Sequence, residues 1–241
     1  MDLIFALVLG TATPGGGFPV YGAAFADMVN AQEPRLRIEP RNTKGSTENV
    51  PLLEANKLDI ALVAGEIATT ALANPGTPLR IIAAIYSSPG LVMVRGDSPY
   101  RSISDLRGKP VALGTQASGI TALGRTVFNS LGIDIKPIVL EKAADGPPML
   151  TDGRADALWG AGVGWPAFGA LAKSGARFIA PSAAEIRTIL EKNPALQAVT
   201  LPAKSYAGQD APLPSVGSWS YVLAKPALPE EAAYLLARAL H

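Results

Sequence analysis

The sequence has few of the side chains on which enzyme catalysis usually depends. Its 241 residues include no cysteine, and the single histidine, His241, is the last residue, where we expect the chain to be frayed. A thiolate nucleophile, a disulfide, a Cys-based zinc site and a Ser-His-Asp triad are therefore excluded. With most familiar enzyme chemistry absent, we expect no catalytic residues, no metal and no cofactor.

Two turns rich in glycine and hydroxyl residues are the strongest candidates for ligand binding. Each follows an apolar strand and precedes a helix, whose unsatisfied N–H groups and positive dipole end attract anions. Open α/β sheets also bind ligands beyond the carboxyl ends of their strands. The alternative is that both segments are simple tight turns with helix caps. The candidates are Thr13, Gly16, Gly17 and Phe18 in the first turn, and Thr115, Gln116, Ser118, Gly119 and Thr121 in the second.

A third polar loop adds candidates of a different kind. Lys44 could pair with a carboxylate, while Ser46 and Thr47 are placed to cap the following helix. Glu66 comes just after a predicted strand and could meet an ammonium or hydroxyl group. The order Lys-Gly-Ser-Thr lacks the upstream glycine of a phosphate loop, so a nucleotide site is not indicated. The alternatives are a solvated loop and an exposed glutamate at a helix start.

Aromatic residues near the predicted strand ends suggest an apolar wall for a pocket. Tyr86 ends one strand, while Trp159 and Trp165 flank a glycine-rich segment after another. Together with Phe18 they would contact the body of a ligand whose charge the glycine-rich turns bind. Packing in the core is the alternative for each of them.

The net charge and the apolar runs limit which partners the protein can bind and in which cellular compartment it is expected. The net charge of +1 argues against a nucleic-acid partner, which needs a basic surface. Uncharged apolar runs such as Leu3–Leu9 and Ile81–Ile85 are far shorter than the roughly 20 residues of a membrane span. The N-terminal run after Met1-Asp2 lacks a basic region and a cleavage site, so we interpret it as a strand and expect that any export signal has been removed.

Short apolar runs alternate with helical patterns, which predicts an α/β fold. Helices are predicted from Pro19, with a buried stripe that includes Ala24, and over 47–56. The strands Leu58–Ala64 and Leu79–Ile85 lack alternation, as expected of parallel strands buried on both faces. The other predicted strands are Leu3–Leu9, Leu36–Pro40, Val111–Gly114, Ile135–Leu140, Ala155–Ala161 and Arg177–Ala180.

Local signals mark several helix ends in the second half of the chain. Ser102–Asp105 and Ser182–Glu185 have the capping-box pattern, in which the first and fourth side chains satisfy each other's backbone N–H groups. Gly132 stands where a left-handed C-terminal cap is expected. A final helix is predicted over Pro229–Leu240.

An internal similarity indicates two related lobes. Residues 52–62 align with residues 149–158, since both read as a helix end, a turn with a basic residue, an aspartate and a buried strand. A strand that ends near Gly10-Thr11 is followed by a glycine-rich turn and a helix. The strand that ends near Gly114-Thr115 is likewise followed by a turn and a helix.

The predicted lobe boundaries follow from two short apolar strands that would connect the lobes, Leu91–Arg95 and Tyr221–Lys225. Lobe I is predicted to comprise 1–90 and 219–241, and lobe II 96–210. Residues 91–95 and 211–218 would be the hinge and return connections. The Pro- and Gly-rich stretch 202–218 is predicted to be a loop.

Several blocks resemble the TAXI-type solute receptors of TRAP transporters. The blocks span most of the chain and comprise residues 10–18, 42–49, 102–111, 114–121 and 206–209. The resemblance implies the type II periplasmic-binding-protein fold, with two similar Rossmann-like lobes joined by two crossover strands and a ligand cleft between them. The family's Tyr-Tyr-Pro is replaced here by Phe18-Pro19-Val20, which argues against a glutamate-like ligand. Family members also usually continue beyond the last predicted helix.

The function implied by the resemblance is that of an exported, periplasmic, monomeric receptor. It would bind a small organic anion (an amino acid, dicarboxylate, keto acid or aromatic acid) and deliver it to the membrane permease subunits of a TRAP transporter. Two alternatives remain open. A cytosolic transferase acting on a small carboxylate would have to work without a usable histidine or cysteine, and the ligand-sensing domain of a regulator lacks a helix-turn-helix pattern and a basic face here.

Overall fold

The computed structural model describes residues 3–240, so the predictions for Met1, Asp2 and His241 lie outside the described part. The chain divides into two α/β units. Unit 1 runs from the N-terminus to Tyr86 and resumes at Trp219, and unit 2 is Ser87–Ser218. Both boundaries fall within long strands, β4 (Arg80–Val94) and β10 (Leu213–Ala224). The hinge role of 91–95 and 211–218 stays a prediction.

Unit 1 is built on a mixed sheet in the order β2-β1-β3-β10. Strand β1 pairs in parallel with β2 and β3, and the C-terminal part of β10 pairs antiparallel with β3. Its own strands are β1 (Phe5–Gly10), β2 (Leu36–Arg41) and β3 (Ile60–Ala64). Its helices are α1 (Gly17–Gln32), α2 (Ser46–Glu54), α3 (Gly65–Leu72) and α8 (Glu230–Ala239).

The core of unit 1 lies on both faces of β3, as the uninterrupted apolar run predicts. Ile60 and Leu62 pack into one buried cluster, and Ala61 and Val63 into another on the opposite face. The same prediction for Leu79–Ile85 is wrong, because Ile81 is 49% exposed. That segment is the start of β4, which continues to Val94 and pairs antiparallel with β7 (Ala157–Ala161).

Unit 2 is built on a second mixed sheet, in the order β6-β5-β7-β4. Strand β5 is parallel to β6 and β7, while β8 pairs antiparallel with β4. The remaining strands are β5 (Pro110–Thr115), β6 (Lys136–Leu140), β8 (Arg177–Ile179) and β9 (Gln197–Leu201). The helices are α4 (Gly119–Ser130), α5 (Gly146–Thr151), α6 (Pro166–Lys173) and α7 (Ala183–Lys192), with 3₁₀ turns at Ile103–Leu106 and Ala143–Asp145.

The two units repeat one chain plan, which confirms the internal similarity seen in the sequence. Strands β2, β1, β3 and antiparallel β10 of unit 1 correspond to β6, β5, β7 and antiparallel β4 of unit 2. The aligned residues Asn56 and Gly153 both adopt left-handed backbone, with φ of 56° and 80°. The Asp59 amide donates to the Val8 carbonyl (3.1 Å), as the Asp156 amide does to the Pro110 carbonyl (2.8 Å).

Several local predictions are confirmed and two are wrong. Gly132 has φ of 62°, and in the Ser182 capping box the serine Oγ accepts from the Glu185 amide (3.2 Å) while the glutamate Oε2 accepts from the Ser182 amide (2.7 Å). Ala24 is exposed, so the buried stripe of α1 excludes it. The predicted loop 202–218 contains the first residues of β10, which pair with β9 (Leu213↔Leu201), a strand that the sequence analysis missed. Within residues 3–240, no helix is long and apolar enough to cross a membrane.

Candidate functional site

The first glycine-rich turn, residues 11–18 (the unit 1 loop), connects the end of β1 to the start of α1. Gly15 has φ of 85°, and the Gly16 amide donates to the Thr13 carbonyl (3.1 Å), so the turn is closed by its own backbone. Gly16 is the N-cap and has no side chain to cap the helix. The amides of Gly17 and Phe18 are the first of α1, where helix geometry offers no acceptor.

Space beside this helix start is open. A Cβ built on Gly17 would have no atom within 4 Å. The positive end of the helix dipole would favour an anion placed beside the Gly17 and Phe18 amides.

A buried asparagine fixes the base of the unit 1 loop. Asn49 of α2 is fully buried, and its Nδ2 donates to the Thr11 carbonyl (2.8 Å) and to the Leu62 carbonyl (2.9 Å). It thereby joins the residue after β1 to strand β3. Sequence reasoning missed Asn49; the available signal was a polar residue four positions before buried Leu53 on one helix face.

Ser46 is buried and does not cap α2, contrary to the prediction. The N-cap is Gly45, whose φ of 118° favours glycine, and both Ser46 and Thr47 lie inside the helix. Instead, the Ser46 Oγ accepts a hydrogen bond from the Ala64 amide at the end of β3 (3.0 Å). The serine thus ties the start of α2 to the strand end from which α3 begins.

The two charged candidates of unit 1 differ in exposure. Lys44 is exposed, and its backbone amide donates to the Glu48 Oε2 (2.6 Å). Glu66 is half-buried in the first turn of α3, two residues after the Ala64 amide that Ser46 contacts. The structure therefore brings Ser46 and Glu66 to the same strand end, whereas Lys44 lies in solvent.

Phe18 and Tyr86, predicted from separate segments, are in contact. Their rings meet edge to face with centroids 6.5 Å apart, and Tyr86 also packs against Tyr21 (4.9 Å). Burial and the neighbouring Tyr21 raise the pKa of Tyr86, while a hydrogen bond with Ser220 opposes the rise, so the phenol is neutral at physiological pH. Phe18 thus places an apolar ring beside the amides at the start of α1.

The second turn, residues 115–119 (the unit 2 loop), connects β5 to α4 in the equivalent position. The Ser118 amide donates to the Thr115 carbonyl (3.1 Å), and the Ser118 Oγ caps the helix by accepting from the Ile120 amide (3.2 Å). Thr115 is buried and Gln116 is exposed. Gly119, the first residue of α4, is buried, and ligand contacts by Gln116, Ser118 and Gly119 stay a prediction.

Thr121 has a structural role that the sequence analysis did not anticipate. It is buried, and its hydroxyl contacts the carbonyl oxygens of Leu113 (3.2 Å) and Thr115 (2.7 Å). Gly114, with φ of 113°, allows this approach, because a Cβ there would lie 2.9 Å from the Thr121 Oγ1. Thr121 therefore positions the loop, and its contact with a ligand stays a prediction.

The two tryptophans belong to buried clusters in the core of unit 2, and their contact with a ligand stays a prediction. Trp159 is 2% exposed, and its Nε1 donates to the Ile120 carbonyl (2.8 Å). Trp165 is buried, packs edge to face on Phe168 (4.7 Å) and donates its amide hydrogen to the Tyr206 hydroxyl (3.0 Å). Core packing, the alternative left open by the sequence, is what the structure shows.

Solved structures with little sequence identity share this architecture. The effector binding domain of QuiR in complex with shikimate matches with a TM-score of 0.63 and 11% identity, covering 98% of this chain and 95% of that one. An ancestral arginine-binding protein bound to arginine matches at 0.60 and 14% (99% and 92% covered). A TctC solute binding protein from Polaromonas matches at 0.59 and 18% (98% and 82% covered).

These similarities establish the two-lobed α/β fold of periplasmic binding proteins. The chain belongs to the NMT1-like family, whose model matches residues 9–241. The finer assignment to TAXI-type receptors stays a prediction.

Proposed function

We propose that this protein is the periplasmic solute receptor of a transporter, of the TAXI type, and that it binds a small organic anion for delivery to a membrane permease. Its family and fold support a binding function rather than catalysis. In this proposal the protein acts as a monomer without cofactor or metal. The solved structures described as arginine-bound and as a TctC solute binding protein are consistent with such a role.

The observation that carries the proposal is the pair of equivalent helix starts. Strand β1 leads to α1 at Gly17 in unit 1, and β5 leads to α4 at Gly119 in unit 2, at corresponding points of the repeated chain plan. Each presents backbone N–H groups and a positive dipole end, an effect worth about 0.3–1 kcal/mol per helix on an exposed anion. Both loops, in this proposal, bind the same ligand.

The surrounding side chains suggest how the rest of the ligand is recognised. Phe18 and Tyr86 form an apolar contact beside the start of α1, which suits an aliphatic or aromatic body. Ser118 and Gln116 add hydrogen-bonding groups in unit 2, and Glu66 is placed to accept from an ammonium or hydroxyl group. Lys44, being exposed, would contribute charge rather than a fixed contact. Amino acids, dicarboxylates, keto acids and aromatic acids are therefore the compounds to test.

A thermal-shift screen over these four classes tests the proposal. A ligand at 100 times its Kd stabilises the folded state by about 2.7 kcal/mol, which raises the melting temperature measurably. No shift with any compound class at millimolar concentration would contradict the assignment of an organic anion.

Variants at two glycines locate the binding site of any compound that raises the melting temperature. Gly17→Ala should leave the fold intact, because the new methyl group meets no atom within 4 Å, yet should weaken ligand binding by occupying the space beside the α1 amides. Gly169→Ala in α6 is the matched control, since its methyl group also meets nothing within 4 Å. Equal affinities of the two variants would move the site away from the unit 1 loop.

A further inference from the structure

Two arginines of unit 2 share the same backbone acceptors. The Nη1 of Arg101 donates to the carbonyl oxygens of Ser98 (2.6 Å) and Tyr100 (3.1 Å). The Nη2 of Arg177 donates to the same two oxygens (2.8 and 2.5 Å). Because both guanidinium groups meet the same oxygens, they are immediate neighbours, held by the loop that follows β4.

Within residues 3–240, no direct ion pair neutralises these two neighbouring positive charges. Asp105 is the acidic group that faces Arg101, but its carboxylate accepts from the backbone amides of Arg101 (2.7 Å) and Ser102 (2.9 Å). Asp97 pairs with Arg95 instead (3.6 Å). Burial and the Arg101 charge both lower the pKa of Arg177.

The pair retains donors for an external anion. A guanidinium has five N–H groups, and the bonds described above use those of a single Nη in each arginine. Three N–H groups remain on each side chain, in the planar arrangement that fits a carboxylate with two hydrogen bonds. Lys109 adds a third positive charge nearby, with its Nζ 5.7 Å from the centre of the Tyr100 ring.

The arginines lie at the opposite end of the unit 2 sheet from the unit 2 loop. Val94, the last residue of β4, pairs with Arg177 and with Ala157, and Ala157 pairs with Val111 near the start of β5. The unit 2 loop begins at Thr115, four residues along β5 from Val111. At about 3.3 Å per residue, the register of the arginines and the start of the loop are about 13 Å apart along the strand. An occupant of the arginine pair would therefore not compete with a ligand at Ser118.

We propose that Arg101 and Arg177, assisted by Lys109, form a docking site for an acidic segment of a protein partner, with Asp or Glu carboxylates as the groups recognised. The overall charge of only +1 means that the site is a local feature and not part of a generally basic surface. Charge complementarity favours several carboxylates on one peptide over a single anion, because Arg101, Arg177 and Lys109 carry three separate positive charges. The proposal does not depend on the identity of the transported ligand.

Binding of a fluorescent hexaglutamate peptide to the full chain, measured by anisotropy at low salt, tests this docking site. The peptide should bind with a salt-dependent affinity, and a hexaglutamine peptide should not bind. Arg101→Gln and Arg177→Gln should each weaken binding about fivefold, the effect of removing one exposed ion pair. Arg177→Lys, which keeps the charge, should retain more affinity than Arg177→Gln, and circular dichroism checks that each variant is folded.

Arg187→Gln is the matched control, because Arg187 is an exposed arginine of the same unit, on α7. It should leave the peptide affinity unchanged. An equal loss of peptide affinity in Arg187→Gln, or no loss of affinity in Arg101→Gln, overturns the proposal. Displacement of the peptide by inorganic phosphate at the same charge concentration would also overturn it, since the site would then be one for free anions.

Discussion

Asn49 offers the sharpest test of how the fold holds the unit 1 loop in place. Its buried amide donates to the carbonyl oxygens of Thr11 and Leu62 and so links the residue after β1 to the middle of the parallel strand β3. Replacing it by aspartate keeps the size and shape of the side chain but turns the donor into an acceptor. A carboxylate would then face two carbonyl oxygens in a fully buried position.

The expected cost of Asn49→Asp at neutral pH is about 3–5 kcal/mol of unfolding free energy, because buried polar groups left unsatisfied cost about 1–3 kcal/mol each and charged ones more. Asn49→Leu loses the same two bonds without adding a charge. The Thr11 carbonyl keeps its bond from the Thr43 hydroxyl (3.1 Å), so mainly the Leu62 carbonyl is orphaned. We expect a cost of about 2 kcal/mol for the leucine variant.

The aspartate variant should also depend on pH in a defined direction. Burial raises the folded-state pKa of the new carboxyl above its unfolded value of about 3.9. The destabilisation relative to the natural protein is therefore smallest below about pH 4 and grows as pH rises toward the folded pKa. Urea unfolding of both proteins across this range measures the difference. A pH-independent difference, or a leucine variant less stable than the aspartate variant at neutral pH, would refute the reasoning.

Three further changes test other parts of the structure. Glu33→Gln should lower stability at neutral pH but not in acid. The Arg35 amide and Arg238 lower the pKa of Glu33, so the charged carboxylate stabilises the folded state, and this stabilisation is lost as pH falls through the lowered pKa. Thermal melts at neutral and at acidic pH measure the difference. Gly90→Ala should cost about 1–3 kcal/mol in urea unfolding, since its methyl group would lie 2.5 Å from the Trp159 ring; an unchanged midpoint would contradict that packing. Trp159→Phe should cost about 1–3 kcal/mol through the lost indole hydrogen bond and volume, and a variant as stable as the natural protein would argue against a core role.

The strand–turn–helix units and their repetition could be predicted because they are encoded locally. Apolar runs, capping boxes and the paired turns at Asn56 and Gly153 act within a few residues of sequence. The two-lobed fold follows from their order along the chain. The extension of β10 to Leu213 was hidden because Pro214 and Gly217 are typical of loops, whereas in the structure these residues pair with β9.

The roles of individual site residues depended on contacts that sequence position does not reveal. The Thr121 hydroxyl lies at a helix start and resembles a ligand donor, yet the conformation at Gly114 brings it against the Leu113 and Thr115 carbonyls. Trp159 lies in the short strand β7, and glycines elsewhere in the chain, Gly90 and Gly124, make the space for its ring. Such complementarity is a property of the packed unit, and a local sequence pattern does not reveal it.

We propose that the helix starts at Gly17 and Gly119 contact the same anion, and amide hydrogen exchange with a ligand from the thermal-shift screen tests this proposal most directly. A saturating concentration of ligand should slow exchange in peptides covering 16–20 and 117–121, and the protection of both segments should reach half of its maximum at the same ligand concentration. Peptides from α7, remote in sequence from both turns, should be unaffected. Protection in only one of the two segments, or two separate saturation points, would contradict the account.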